Sequence, residues 1–198
     1  MAAALFSLAV WQVVAGGAVR SADERLGGAV RGSSAPLPRD VAGFFADLGN
    51  AVVAVPLLVA ILMCAAWWGR GSRRGWAAPL AAALAMAAVP AVVVPLKSAV
   101  GRAGPPGMDG VGYFPSGHAA TAGVAYGAAA VLILPRLARA FARLAVATGA
   151  VALNVVIGLC LVRRGYHWPL DVLGSWCLTA LLLWPVAAVT ALYGRRRA

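Results

Sequence analysis

Histidines and acidic side chains are scarce in this sequence, and no polar segment is long enough to fold alone. Two histidines and six Asp+Glu stand among 198 residues, against 17 Lys+Arg. Charged residues make up 12%, where soluble chains carry about 25%. With 62% hydrophobic residues and a mean hydropathy of +0.84, an ordinary soluble domain is excluded. The three cysteines, Cys64, Cys160 and Cys177, all lie inside apolar runs, so no disulfide framework or metal spacing is present. Arg39 stands where a proline-rich ligand starting at Pro36 would need its second proline, which removes that motif too. The formal charge of +11 sits in short loops between apolar runs. Cations so placed act as topology signals and lipid-headgroup partners. A nucleic-acid partner is not expected; membrane lipids are.

What the chain does have is a series of apolar runs near the ~20 residues that cross a ~30 Å hydrocarbon core. They predict an all-α fold, a single membrane domain over residues 1–198 built as a bundle of six transmembrane helices. The spans expected are about 2–19, 42–68, 76–96, 118–134, 144–162 and 170–193. No basic residue precedes the first run, so it is expected to be a retained helix and not a signal peptide. Residues 20–40, with four arginines, are expected as a surface loop that Pro36-Leu37-Pro38 stiffens. Trp67-Trp68 suits the interfacial belt. Asp47 and Asn50, near the start of the second span, are read as turn polarity and helix contacts. Pro79, Pro90 and Pro95 fall in the third span, where neighbouring helices re-satisfy freed carbonyls.

Six spans put both termini on one membrane face. That face carries nine Lys+Arg and the other eight, but the nine come as threes. They are Arg70, Arg73 and Arg74; Arg136, Arg139 and Arg143; and Arg195, Arg196 and Arg197. Clusters in every short loop favour cytoplasmic termini in the plasma membrane, with loops 97–117 and 163–169 facing outward.

Those two loops hold both histidines, His118 and His167. Ser116 and Gly117 precede the fourth helix, whose exposed amides and dipole attract anions. Gly117 permits close backbone approach. Lys97 and Arg102 add positive charge beside it. Asp171 lies four residues after His167, close enough to fix its tautomer and raise the basicity of the other ring nitrogen. One imidazole is then a candidate nucleophile and the other a proton shuttle. Taken singly, each residue has a plainer role: Lys97 and Arg102 as snorkelling cations, Asp171 as a helix-start carboxylate, the histidines as interfacial side chains. Zinc chemistry is the chemical rival, since the two histidines, Asp171 and Asp109 are all ligand types. The surrounding arginines oppose a cation, and no metal or other cofactor is expected.

At these residues the chain resembles the type 2 phosphatidic acid phosphatase superfamily of integral membrane lipid phosphatases. That family carries Lys-x6-Arg-Pro, Pro-Ser-Gly-His and Ser-Arg-x5-His-x3-Asp. The second motif is intact at Pro115-Ser116-Gly117-His118, the third keeps His167 and Asp171, and Lys97 and Pro105 match the first. The resemblance covers about residues 42–185. It implies that His167 attacks phosphorus and forms a phosphohistidine, that Asp171 orients it, and that His118 handles the leaving-group proton. It also implies phosphate binding by Lys97, Ser116 and the Gly117 amide, without a metal. The arginine positions of the first and third motifs hold Gly104 and Leu161, and Cys160 replaces the serine. Arg102 and Arg164 are expected to bring guanidinium groups back from shifted positions. The activity implied is hydrolysis of a phosphomonoester or pyrophosphate on a lipid: a prenyl phosphate carrier, a phosphatidate-like lipid or a glycolipid phosphate. A phosphotransferase using the same histidine, or a non-catalytic lipid-phosphate-binding subunit, are the alternatives.

Overall fold

Residues 1–33, 38–72 and 74–194 are described by the structure, a computed structural model. Among them the chain is helical, with no strand beyond a single antiparallel bridge, Ala103 to Val111. The helices are α1 (Ala2–Ala15), α2 (Ala18–Gly32), α3 (Arg39–Asp47), α4 (Ala51–Gly69), α5 (Ala77–Val100), α6 (Gly117–Ile133), α7 (Ala140–Arg163) and α8 (Pro169–Gly194). A tight turn, Leu134–Arg136, links α6 to α7. Helices α4 to α8, five in all, are long and apolar enough to cross a membrane. Helices α1 and α2 would make a sixth span only as a pair, and they are bent by 89°. The chain is an integral membrane protein that crosses the bilayer several times.

Helix α6 is the axis of the bundle and touches α4, α5, α7 and α8. Its sequence, GHAATAGVAYGAAAVLI, is dominated by small side chains, which lets neighbouring backbones approach closely in lipid. The contacts are specific: a Cβ on Gly123 would lie 2.3 Å from the Thr179 hydroxyl, and one on Gly127 2.4 Å from Leu183. Pro56, Pro90, Pro95 and Pro185 sit inside helices that continue through them.

The structure differs from the sequence expectation in two places. The span expected over 42–68 is broken at Leu48-Gly49-Asn50 into α3 and α4. Asn50 ends the continuity by capping α4, its side chain accepting from the Val52 amide at 3.2 Å. The turn is held from α6: Tyr126 donates its hydroxyl to the Leu48 carbonyl at 2.8 Å, and Gly49 lies against the His118 carbonyl.

The second difference lies in 2–40. The expected span 2–19 stops at Gly16, which takes a left-handed φ of 66°. Fourteen residues rise about 21 Å. The expected loop is instead largely α2, whose inward stripe is Asp23, Gly27 and Arg31 at helical spacing. Helix α2 packs on α7 and α8 at the end of the bundle that carries both histidine loops. Arg163 clamps its C-terminus, donating to the Val30 and Arg31 carbonyls at 2.9 and 2.7 Å, where a cation also suits the dipole. Pro36-Leu37, Arg73 and the closing arginines 195–197 lie outside the described residues.

Candidate active site

Two loops and the start of α6 build one cavity of about 550 Å³ at this end of the bundle. Lys97, His118 and His167 line it, together with Asp47, Tyr113 and Tyr166. Helix α5 runs four residues further than the expected span, so Lys97 belongs to its last turn. Gly101 then closes α5 in the left-handed conformation. Residues 102–113 fold back on themselves: the amides of Gly112 and Tyr113 both donate to the Arg102 carbonyl, at 2.8 and 3.0 Å. This return brings the Gly112 carbonyl to Lys97, which donates to it from Nζ at 2.8 Å. An ammonium has three donors, so two stay available to the cavity.

His167 sits between α7 and α8 with its ring mostly buried. Its Nδ1 lies 3.3 Å from Asp171 Oδ2, the geometry in which Nδ1–H donates and Nε2 keeps a lone pair. Asp171 is fully buried and both of its carboxylate oxygens are engaged. Oδ2 also accepts from the Trp168 amide at 2.9 Å, and Oδ1 from Arg102 Nη1 at 2.7 Å. The Tyr113 ring meets His167 edge-on, with centroids 5.9 Å apart.

The Pro115-Ser116-Gly117-His118 segment delivers the second histidine. Ser116 is fully buried and caps α6, its oxygen accepting from the Ala119 amide at 3.2 Å. Its amide donates to the Asp171 carbonyl at 3.1 Å, and Ser175 donates its hydroxyl to either the Ser116 or the Asp171 carbonyl, each 2.8 Å away. The starts of α6 and α8 are therefore locked together, which fixes His118 relative to His167. Gly117 opens α6, and a Cβ there would find its nearest neighbour 4.0 Å away. Packing within the protein leaves the space beside that glycine open.

Arg102 is placed elsewhere than the sequence suggests. Its side chain is fully buried and does not line the cavity. It bridges Asp171 to Asp23 of α2, donating from Nη1 to the first and from Nη2 to the second. Arg164 lies exposed at the rim, donating to the Tyr166 hydroxyl at 3.0 Å and packing over Gly43 of α3. Cys160 and Leu161, where the third motif has serine and arginine, are buried in the core.

Gly104 is explained by Tyr113. A Cβ at 104 would come within 2.6 Å of the Tyr113 ring, which is itself held by its hydroxyl on the Asp109 carbonyl at 2.9 Å. The ring thus covers the place of the motif arginine and reaches His167. Gly104→Ala is expected to displace Tyr113, at an overpacking cost of about 1–3 kcal/mol. Thermal unfolding in micelles checks this, and an unchanged midpoint would mean that the ring yields freely.

Asp47, Tyr113 and Tyr166 were not marked by sequence as cavity residues, and Asp23 carried no signal beyond its rarity as an acid. Asp109, by contrast, meets the site only through its backbone carbonyl. Among the described residues no three His, Cys, Asp or Glu side chains gather as metal ligands.

Residues 78–195 match the family described as the PAP2 superfamily. Among solved structures, the chain is similar to a transmembrane PAP2-type phosphatidylglycerolphosphate phosphatase from Bacillus subtilis. The two share 25% sequence identity and superpose with a TM-score of 0.78, over 93% of this chain and 94% of that one. No match is found among curated proteins.

Proposed function

We propose, from the premise that the chain belongs to the PAP2 superfamily, that it is a membrane lipid phosphatase working through a phosphohistidine on His167. The observation that carries this is the meeting of His167, backed by Asp171, with His118 and Lys97 around one cavity. The substrate class is a lipid bearing a phosphomonoester or pyrophosphate, such as a prenyl phosphate, a phosphatidate-like lipid or a glycolipid phosphate. The cavity stands at the end of the transmembrane bundle, so the acyl or prenyl chain can remain in the bilayer while the headgroup enters.

The proposed reaction has two steps. In the first, the Nε2 lone pair of His167 attacks phosphorus, forming the P–N bond as the P–O bond to the lipid breaks. His118, protonated at this stage, gives its proton to the departing lipid oxygen. Asp171 accepts from Nδ1–H throughout and offsets the positive charge that His167 acquires. In the second step His118 takes a proton from water, whose oxygen attacks phosphorus and breaks the P–N bond. Phosphate leaves, and both histidines return to their starting states.

Charge on the transferring phosphoryl oxygens must be met by fixed donors. Lys97 and the α6 N-terminus, with the Gly117 amide, supply them; Ser116 supports that terminus as its cap. Arg164 stands at the rim through Tyr166 and contributes attraction at entry. Its replacement by alanine is expected to raise KM more than it lowers kcat. Clusters of cations in the short opposite loops support an outward-facing site with cytoplasmic termini.

Purified protein in micelles is expected to release phosphate from dioleoyl phosphatidate with EDTA present, and to be blocked by vanadate. Binding of phosphatidate without turnover would replace the enzyme with a lipid-phosphate-binding protein. Loss of activity in EDTA would point to a metal.

A further inference from the structure

The unexpected post of Arg102 has a consequence for the nucleophile. Four buried side chains form one chain of contacts: Asp23, Arg102, Asp171 and His167. Asp23 belongs to α2, outside the stretch that matches the family. It is almost fully buried, takes one guanidinium edge through Oδ2, and accepts the Leu170 amide on Oδ1 at 2.7 Å. That amide lies in the first turn of α8, one residue before Asp171.

We propose that Asp23 is a positioning residue for His167, acting through Arg102 and Asp171. It rests on His167 being the group that bonds to phosphorus. The physical reason is charge. Arg102 alone against Asp171 would make a neutral buried pair, and the carboxylate would have little field left to offer His167. Burial pushes the Asp23 carboxyl up and the Arg102 guanidinium pulls it back toward the charged form; with Asp23 ionised on the other edge of the guanidinium, the trio keeps one net negative charge. That charge faces His167 and stabilises the cationic ring formed on phosphorylation. The same contacts fix geometry. Arg102 is held from both sides, Leu170 is tied to α2, and Arg31 lies over the Trp168 ring at 4.8 Å. Gly27 completes the fit, since a Cβ there would come within 2.8 Å of Trp168.

The other groups around His167 come from different elements. Lys97 stands on α5, His118 on α6, Asp47 on α3, and Tyr113 and Tyr166 on the loops. None of them touches Asp23. Glu24, half exposed and paired with Arg20, comes no nearer to Arg102 than 4.0 Å.

The chain has two histidines, so imidazole nitrogens labelled with ¹⁵N give a spectrum that His118→Gln assigns. The test is the titration midpoint of His167 in micelles, read without substrate. Asp23→Asn is expected to lower it by about one pH unit, the lower end of what a nearby opposite charge produces. In parallel, phosphatidate turnover should lose about tenfold in kcat with KM within twofold, while Asp23→Glu recovers most of both. An unchanged midpoint in folded Asp23→Asn would overturn the proposal.

Should Asp23→Asn fail to fold because Arg102 keeps a carboxylate on one edge only, Asp23→Asn/Arg102→Gln removes both charges. Its His167 midpoint should then return to within about half a unit of wild type, since one carboxylate again faces the ring. A midpoint well above wild type would show that Asp23 never offset Arg102, and would sink the idea. The titration decides the role of Asp23 even if the wild type releases no phosphate, an outcome that would overturn the proposed function alone.

Discussion

His167→Ala is expected to abolish phosphate release, with a loss on the order of 10⁶ in kcat by analogy with other nucleophile deletions. No neighbour can take over the attack. His118 is anchored to the start of α6 and, in the proposed mechanism, is already committed to the leaving oxygen. Lys97 is held by the Gly112 carbonyl at 2.8 Å. The fold should tolerate the change, because the one hydrogen bond lost is the 3.3 Å contact to Asp171. Asp171 keeps Arg102 and the Trp168 amide. Vanadate or phosphate binding should therefore survive the loss of turnover. His118→Ala gives the contrast: a smaller loss of about 10²–10⁴, the range for removing a general acid–base group. With an aryl phosphate, whose leaving group needs no proton, His118→Ala should still phosphorylate His167 and then stall. Acid-labile, base-stable label on the protein would measure that. If His167→Ala retains turnover above a hundredth of wild type, the assignment of the nucleophile fails.

The parts of the site legible in sequence are those with short-range spacing. Pro115-Ser116-Gly117-His118 and His167-x3-Asp171 each complete their geometry within one helix start, so local pattern carries them. Lys97 was legible as a cation at a helix end. Arg102 was not, because a loop cation beside a phosphate motif looks like a ligand until the fold shows which way the loop returns. The Arg102 side chain runs to Asp171 and Asp23 instead of into the cavity. Asp23 was hidden further still, 79 positions from the arginine that it holds.

Helix α2 was obscured by a reversal of the usual pattern. In most amphipathic helices the apolar stripe faces the protein. Here the inward stripe is buried Asp23 and Gly27 with half-buried Arg31, and Val19 and Leu26 are exposed. A pair of glycines, Gly27-Gly28, further lowers intrinsic helix preference. Tertiary clamps, with Arg163 on its last carbonyls and Asp23 on Arg102, supply what the local sequence does not. The five long apolar spans were readable because hydrophobic length is a local quantity. The break at Asn50 was not, since it depends on α6 supplying Tyr126 and the His118 carbonyl.

Asp171→Asn carries the second-largest expected loss, about 10⁴ in kcat, the figure for a misplaced histidine tautomer elsewhere. The substitution keeps shape but leaves one oxygen to do the work of two. Arg102 Nη1 stands 2.7 Å from Oδ1 and would claim the remaining carbonyl oxygen. The amide NH2 then replaces Oδ2, facing both the Trp168 amide and His167 Nδ1. Two donors would meet at Trp168. At His167 the ring would have to offer a lone pair from Nδ1, which moves its proton to Nε2. The nitrogen aimed at phosphorus would lose the electrons with which it attacks. Turning the amide over restores the tautomer only by pressing NH2 against a buried guanidinium. Stability should also fall, but by less than the ~3–5 kcal/mol of breaking a buried pair outright, because Asp23 still holds Arg102. Comparison of kcat with the unfolding midpoint separates the two effects. A variant that unfolds a few degrees lower yet hydrolyses phosphatidate at a tenth of the wild-type rate would refute the tautomer role of Asp171.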